Sequence, residues 1–461
     1  CLMALVVQAK GETEEAIRIY QQALQADPSW LPAIRGIADT YSMLEKWDMV
    51  VQAYQEFLQN LPEAMKMAGL PIHLALGNLY YERFGKRNEA IEEFKKALAL
   101  DSTHIASHAA LAAIESEDPA FYDEGIQEHT YLLKRDPLRT ASYRCLYKIF
   151  QMKKQEDLAM RACQNIAISG ELVEEEKEFM AKNSPQRPEH VNPESLLAYL
   201  VPNRSAAFYE ILSLSSEHMA RIYPADLETK YGLKRKDRIL GDNVKIFSQV
   251  ESIRKILGIP AIDLYINPKK TAQVFIENTQ PASLILNMSL LESFSDEEIC
   301  FLLAKFLFYI AQNQILTIKL EPQEIKTYFT MMRESFIGSE EKFAGEELAL
   351  FKKIKNALPR KVRKTMEERP DLWETKGKEE GTHYLKDMDF ASNRCGLLLS
   401  DSLEISVQAF YQFQLLLQTG KTQRTDKIPL QELAKYEAIH DLLLYNISDE
   451  YRNLRRSLGK G

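Results

Sequence analysis

The stretch Ala16-Ile17-Arg18-Ile19-Tyr20-Gln21-Gln22-Ala23, closed by Asp27-Pro28, decides how the first third of the chain is read. Tyr20 returns as Tyr54 and Pro28 as Pro62, both 34 residues on, and a fixed period of that length marks a stack of like units. In each unit a small or apolar residue is followed four positions later by an aromatic, and three later by another apolar residue. The sets are Ala16, Tyr20, Ala23, then Val50, Tyr54, Phe57, then Ala90, Phe94, Ala97. Steps of four and three hold such residues on one face of a helix. Each helix then stops at a polar-Pro turn or its relic, at Asp27-Pro28, Leu61-Pro62, Asp101-Ser102 and Asp136-Pro137.

Over roughly residues 1–137 this pattern resembles the tetratricopeptide repeat (TPR) family, with a fifth, worn unit running through Tyr143, Ala159 and Cys163. About four and a half units fit into residues 1–170, the first beginning in mid-helix, so we expect a chain cut from a longer protein. The third unit departs from the pattern through an insertion, Glu63 to Leu70, and an extra residue at Arg83-Phe84-Gly85. The resemblance implies an α-solenoid in which each unit touches only its neighbours and the first helices line a concave groove. By position in the family, that groove presents Arg35, Asp39, Ser42, Asn78, Tyr81, His104 and Ser107 to a peptide or helix of a partner protein. The Lys and Asn pairs by which chaperone-binding members clamp a terminal carboxylate are not recognisable, which disfavours chaperone docking.

Composition narrows the function classes. With 461 residues, 45% hydrophobic and 27% charged, the chain has matter for more than one packed core. Fifty-eight Lys and Arg against 66 Asp and Glu leave a net charge of −8, and with no nucleic-acid motif this argues against nucleic acid as a partner. The five cysteines, Cys1, Cys145, Cys163, Cys300 and Cys395, are scattered and form no CxxC; they read as buried or free thiols rather than a disulfide framework or zinc knuckle. The most apolar run, Phe301 to Ile310, contains Lys305 and is too short to be a transmembrane segment.

Residues 171–194 read as a linker, passing from Glu174-Glu175-Glu176-Lys177-Glu178 to Asn183-Ser184-Pro185-Gln186-Arg187-Pro188. Beyond it, Ser248 to Leu257 reads as a helix ended by Gly258-Ile259-Pro260, and Ile262 to Ile266, Gln273 to Glu277 and Ser283 to Asn287 as short strands. Ser295 then caps a helix with Asp296-Glu297-Glu298 in its first turn, and Cys300-Phe301-Leu302-Leu303-Ala304 makes it apolar almost all round, as a buried helix is.

This order, with Ala282 to Leu291 leading through an acidic turn, resembles the HExxH zinc peptidases of the CAAX prenyl protease and HtpX-like family. Where that family's helix reads V-L-A-H-E-L-x-H-I, this chain reads Leu302-Leu303-Ala304-Lys305-Phe306-Leu307-Phe308-Tyr309-Ile310. HExxH sets two imidazoles one turn apart on zinc, with the Glu as base toward the bound water. Here Lys305 and Tyr309 replace the two histidines and Phe306 replaces the base. The family's third ligand lies in E-x-x-A-D-R-x-G, which aligns with Asp389-Phe390-Ala391-Ser392-Asn393-Arg394-Cys395-Gly396 and puts Asp389 at the ligand position. Lys305, Phe306, Tyr309 and Asp389 are thus the vestigial zinc-site positions the resemblance implies, with Lys305 and Asp389 expected to form an ion pair in place of the metal. His104 and His108 share a helical ligand spacing but have no acidic third partner, and read as helix-surface residues.

The expectation is a mainly α protein, with a TPR α-solenoid over 1–170, a linker over 171–194 and an α+β zincin-like pseudo-metallopeptidase over 195–461. It is a bacterial-type, non-catalytic scaffold without metal or cofactor. It holds proteins in its groove and by strand addition or in a cleft of its second domain, as a subunit of a larger assembly in the cytoplasm, with the periplasm open. The competing expectation is an active zinc metallopeptidase with unconventional ligands such as Asp389 and His383.

Overall fold

Helix follows helix from Leu2 to Met152: α1 Leu2–Ala9, α2 Thr13–Ala26, α3 Leu31–Met43, α4 Trp47–Asn60, α5 Leu70–Glu82, α6 Arg87–Leu100, α7 Ile105–Glu115, α8 Tyr122–Arg135 and α9 Thr140–Met152. The computed structural model describes residues 2–458 apart from 184–187, 189–190, 192–195, 197–198, 202–204, 242–244, 269–272, 374–379 and 422–426. Cys1, His190 and most of the Asn183 to Pro188 linker therefore lie outside the described residues.

The aspartates that close the units make the turns. Asp27 Oδ1 accepts from the Ser29 amide at 2.9 Å, Asp101 from Thr103 at 2.8 Å and Asp136 from Leu138 at 3.2 Å, each carboxylate taking up the amide two residues on and so fixing the turn. The periodic aromatics account for the helix spacing. A Cβ on Gly36 would stand 2.3 Å from the Tyr20 ring, and one on Gly77 2.4 Å from the Phe94 ring, so these glycines let the next helix approach the ring face. The insertion between α4 and α5 forms a short 3-10 helix, Glu63–Gly69. Small cores follow one another along the array, around Tyr20 with Ala33 and Ile37, Tyr54 with Ile72 and Leu76, and Phe94 with Leu111 and Ile114.

The chain divides into two compact units, Cys1–Lys154 and Gln155–Gly461. The boundary thus falls before α10, Glu156–Ser169, and not at residue 170 where the repeat pattern puts it. The reason is a buried polar network within the second unit. Arg161, 1% exposed, donates to Asp401 at 3.2 Å, and Arg455 donates to the same oxygen at 2.5 Å. Asn165 donates to the Leu443 carbonyl at 2.8 Å and accepts from Asn446 at 2.8 Å. A helix with a worn repeat pattern is thereby claimed by the second core.

After α10 the second unit runs α11 Glu174–Lys182, α12 Ala206–Ser215, α13 Leu227–Tyr231, α14 Lys245–Ile256, β1 Asp263–Asn267, β2 Val274–Glu277, β3 Ser283–Asn287, α15 Met288–Ser293 and α16 Asp296–Ala311. It continues as α17 Ile315–Lys319, α18 Pro322–Ile337, α19 Gly345–Ala357, α20 Arg360–Glu367, α21 Glu380–Ser400, α22 Leu403–Thr419, α23 Leu430–Leu433, α24 Glu437–Asn446 and α25 Asp449–Ser457. The three strands lie within a residue of their expected bounds and form one sheet in the order β1-β3-β2. β3 is parallel to β1, with Tyr265 opposite Ile285, and antiparallel to β2, with Phe275 opposite the same residue. Every residue of β3 is buried, as a central strand covered on both faces requires.

α16 starts as its sequence dictates. Ser295 Oγ accepts from the Glu298 amide at 3.2 Å while the Glu298 carboxylate accepts from the Ser295 amide at 2.6 Å, a reciprocal cap. The helix is buried from Glu298 to Tyr309 and packs on α14, α21 and α22. It ends at Ala311, where Asn313 turns left-handed at φ 55° and the Gln314 amide closes back on the Tyr309 carbonyl at 2.7 Å.

Candidate functional site

The second unit's polar centre sits where α16 crosses α21. Both helices are apolar on the crossing face, yet α16 carries Lys305, whose side chain is 7% exposed. An ammonium has three N–H donors and no acceptor, and burying one without partners is costly. Here all three are met: Lys305 Nζ donates to Asp389 Oδ1 at 2.6 Å, to Asn393 Oδ1 at 2.8 Å and to Ser392 Oγ at 3.2 Å. Asn393 Nδ2 donates to the other Asp389 oxygen at 3.2 Å, and Ser392 Oγ donates to the Asp389 carbonyl at 2.7 Å. One turn further on, the buried Tyr309 hydroxyl lies 3.4 Å from Ser392 Oγ. Burial, and then the Asp389 charge, raise its pKa, so it stays a neutral phenol.

The ion pair expected from the sequence is thus present in the geometry. Asp389 keeps 46% of its side chain exposed, so the centre reaches solvent at Asp389. Phe306, 7% exposed, packs edge-on against Phe413 with centroids 5.7 Å apart. α21 is held beside the centre by Arg394, which forms a two-pronged pair with Asp441 at 2.6 and 2.9 Å and also donates to the Leu200 carbonyl at 3.1 Å. His383 is exposed near the start of the same helix. Among the described residues no three His, Cys, Asp or Glu side chains gather as metal ligands.

In the first unit, the seven expected groove residues divide. Arg35 and Asp39 on α3 and Asn78 on α5 are exposed. Ser42 is half-buried and donates back to the Ala38 carbonyl at 2.7 Å, and Tyr81 donates to Glu117 at 2.5 Å. His104 and Ser107 are corrected. His104 caps α7, accepting from the Ser107 amide at 3.3 Å, and Ser107 is fully buried behind it with its hydroxyl 2.9 Å from the ring. The sequence places Ser107 in the first turn of a helix but does not reveal which face of that turn is packed.

His108 is not a surface residue either. It is 8% exposed, with Nδ1 2.5 Å from Glu128, and its ring is stacked on Tyr131. The preceding unit repeats the arrangement, with His73 Nδ1 2.7 Å from Glu93. Both pairs span 20 residues and are offset by 35, from 73 to 108 and from 93 to 128. That period is present in the sequence, where His73 and His108 occupy like positions of successive repeats. No described helix is long and apolar enough to cross a membrane.

Two separate stretches, residues 2–29 and 70–104, match families described as tetratricopeptide repeat. The first unit carries tetratricopeptide repeats. The chain has no match among curated proteins. Solved structures similar to parts of it include MamA, at 18% identity over 39% of this chain and 97% of that one with a TM-score of 0.29. YrrB, described as a TPR protein with an unusual peptide-binding site, is 14% identical over 39% of this chain and 87% of its own, also at 0.29. A tetratricopeptide repeat protein from Parabacteroides merdae is 19% identical over 39% and 67%, at 0.26. The matched repeats bracket α3 and α4, and Tyr54 on α4 and Pro62 just after it carry the same 34-residue spacing. Repeats of this family bind other proteins or peptides.

Proposed function

We propose that the protein is a non-catalytic scaffold whose repeats hold a segment of one partner protein on the first-helix face, around Arg35, Asp39 and Asn78. The second unit is a degenerate HExxH peptidase that holds another partner, by strand addition at β2, whose outer edge pairs with no strand among the described residues. The observation that carries this reading is the complete use of the Lys305 ammonium by Asp389, Ser392 and Asn393. A cation with no lone pair stands where the family's first zinc ligand would be, and Phe306, which can neither bind a metal nor accept a proton, stands where the base would be. An internal ion pair then does structurally what the zinc did, tying two helices together. The cytoplasm is the compartment proposed, within a larger assembly.

Elemental analysis of the protein expressed in zinc-supplemented medium tests it. We expect no stoichiometric zinc in the native chain. Zinc binding is expected to appear in the variant carrying Lys305→His, Phe306→Glu, Tyr309→His and Asp389→Glu. Near-stoichiometric zinc in the native chain would instead favour an active peptidase and direct attention to Asp389 and His383. The scaffold half is tested by co-purification of partners at fixed stoichiometry, lost on Arg35→Glu with Asp39→Lys.

A further inference from the structure

Between α12, α18 and Trp373 the second unit leaves a cavity of about 530 Å³, within the roughly 300–1,000 Å³ of small-molecule sites. It is a cleft at the surface of that unit with an aromatic wall. Phe208 meets Phe329 edge-on with centroids 4.6 Å apart, and Trp373 stacks on Phe336 at 4.6 Å while its indole N–H donates to the Met366 carbonyl at 3.0 Å. Each ring is fixed from behind and cannot swing inward.

α18, which also supplies Phe329 to the aromatic wall, adds a polar rim of Gln323, Lys326, Thr330 and Arg333 at steps of three and four, with only Lys326 of the four half-buried. The Thr330 hydroxyl is spent on the Lys326 carbonyl at 2.9 Å. Lys326 is half-buried, and among the described residues its ammonium has no ion-pair partner. Arg333 reaches only Glu334, at 3.6 Å, and that carboxylate is also held by Lys342 at 2.8 Å. Against these two cations the lining offers one carboxylate, Glu347. An apolar wall beside a half-buried lysine with no ion-pair partner among the described residues is complementary to a molecule with an apolar body and one anionic head.

We propose that this cavity binds a single-chain fatty carboxylate, its hydrocarbon along Phe208, Phe329 and Trp373 and its head on Lys326, with Arg333 at the mouth. A cationic head would be repelled there, and a neutral head would leave the Lys326 charge unpaired. The site shares no residue with the Lys305 centre and stands independently of the scaffold reading.

Calorimetric titration of the full chain with dodecanoate and with dodecanol, both below their aggregation limits, tests it. We expect saturable binding of about one dodecanoate per chain. Lys326→Met is expected to weaken dodecanoate about tenfold or more while dodecanol changes less than about twofold, and Thr330→Trp, on the exposed rim, to abolish both. Retained helical circular dichroism shows that each variant is folded. Absence of dodecanoate binding, binding that survives both substitutions, or equal weakening of acid and alcohol by Lys326→Met would each overturn the proposal.

Discussion

Gly396 of α21 lies so close to Phe301 of α16 that a Cβ placed on it would stand 2.6 Å from two ring carbons and 3.1 Å from the Phe301 carbonyl oxygen. Phe301 is fully buried and cannot yield. Gly396→Ala should therefore push the helices apart and destabilise the second unit by about 1–3 kcal/mol. A lowered urea midpoint for that unit checks this, and the same separation should lengthen the Lys305 to Asp389 contact.

The ion pair itself should show strong coupling. Asp389→Ala strips the buried ammonium of its only charged acceptor, a loss expected to cost about 1–3 kcal/mol. Lys305→Met should cost less, because the abandoned carboxylate is 46% exposed and can turn to water. The double variant should be more stable than the two single losses summed, and a double-mutant cycle by chemical denaturation measures the difference.

Two buried carboxyls in the array should respond to pH in opposite directions. Glu115, 1% exposed at the end of α7, is pushed up to about 7, first by burial and then by the nearby Glu128 charge, with Glu124 adding to it against Lys95. Its proton is held more tightly in the folded chain, so its contribution is fully present below about pH 4.5 and is lost as the pH rises toward 7. Burial also pushes Glu93 up, but hydrogen bonds from His73 and Lys96 outweigh it and leave the carboxyl below its ordinary value. Its contribution is present above about pH 4.5 and is lost as the pH falls. Hydrogen-exchange stability of the α7 amides should therefore fall between pH 5 and 7.5. Glu115→Gln should flatten that slope and gain on the order of 1–3 kcal/mol at pH 7.5.

The seven expected groove residues separate by stability. Arg35→Ala and Asn78→Ala, both at exposed positions, should shift the thermal midpoint of the array by no more than about 0.5 kcal/mol equivalent. Ser107→Leu forces a larger side chain into a filled site beside the His104 cap and should cost about 1–3 kcal/mol.

The parts of the fold that could be read from the sequence are those fixed by local chemistry. Asp27, Asp101 and Asp136 announce their turns because the side chain itself makes the bond, and Ser295 announces α16 because cap and acidic first turn lie within four residues. The juxtaposition of Lys305 and Asp389 was also within reach, since a buried ammonium requires an anion. What escaped depends on pairing across long separations or on orientation. α10 carries a repeat-like pattern, yet its Arg161 and Asn165 answer to residues some 240 and 278 positions away. Ser107 was turned inward by a histidine that reads as a surface residue. The α18 cavity is formed by aromatics from three separate segments, and no spacing along the chain reports that they stand apart.

Asp401 accepts from both Arg161 and Arg455 with its backbone in the left-handed region at φ 53°, so a helix from the start of the second unit is locked only when α25 arrives. A ribosome making this chain exposes α10 240 residues before Asp401, the carboxylate that answers its buried Arg161, has been synthesised.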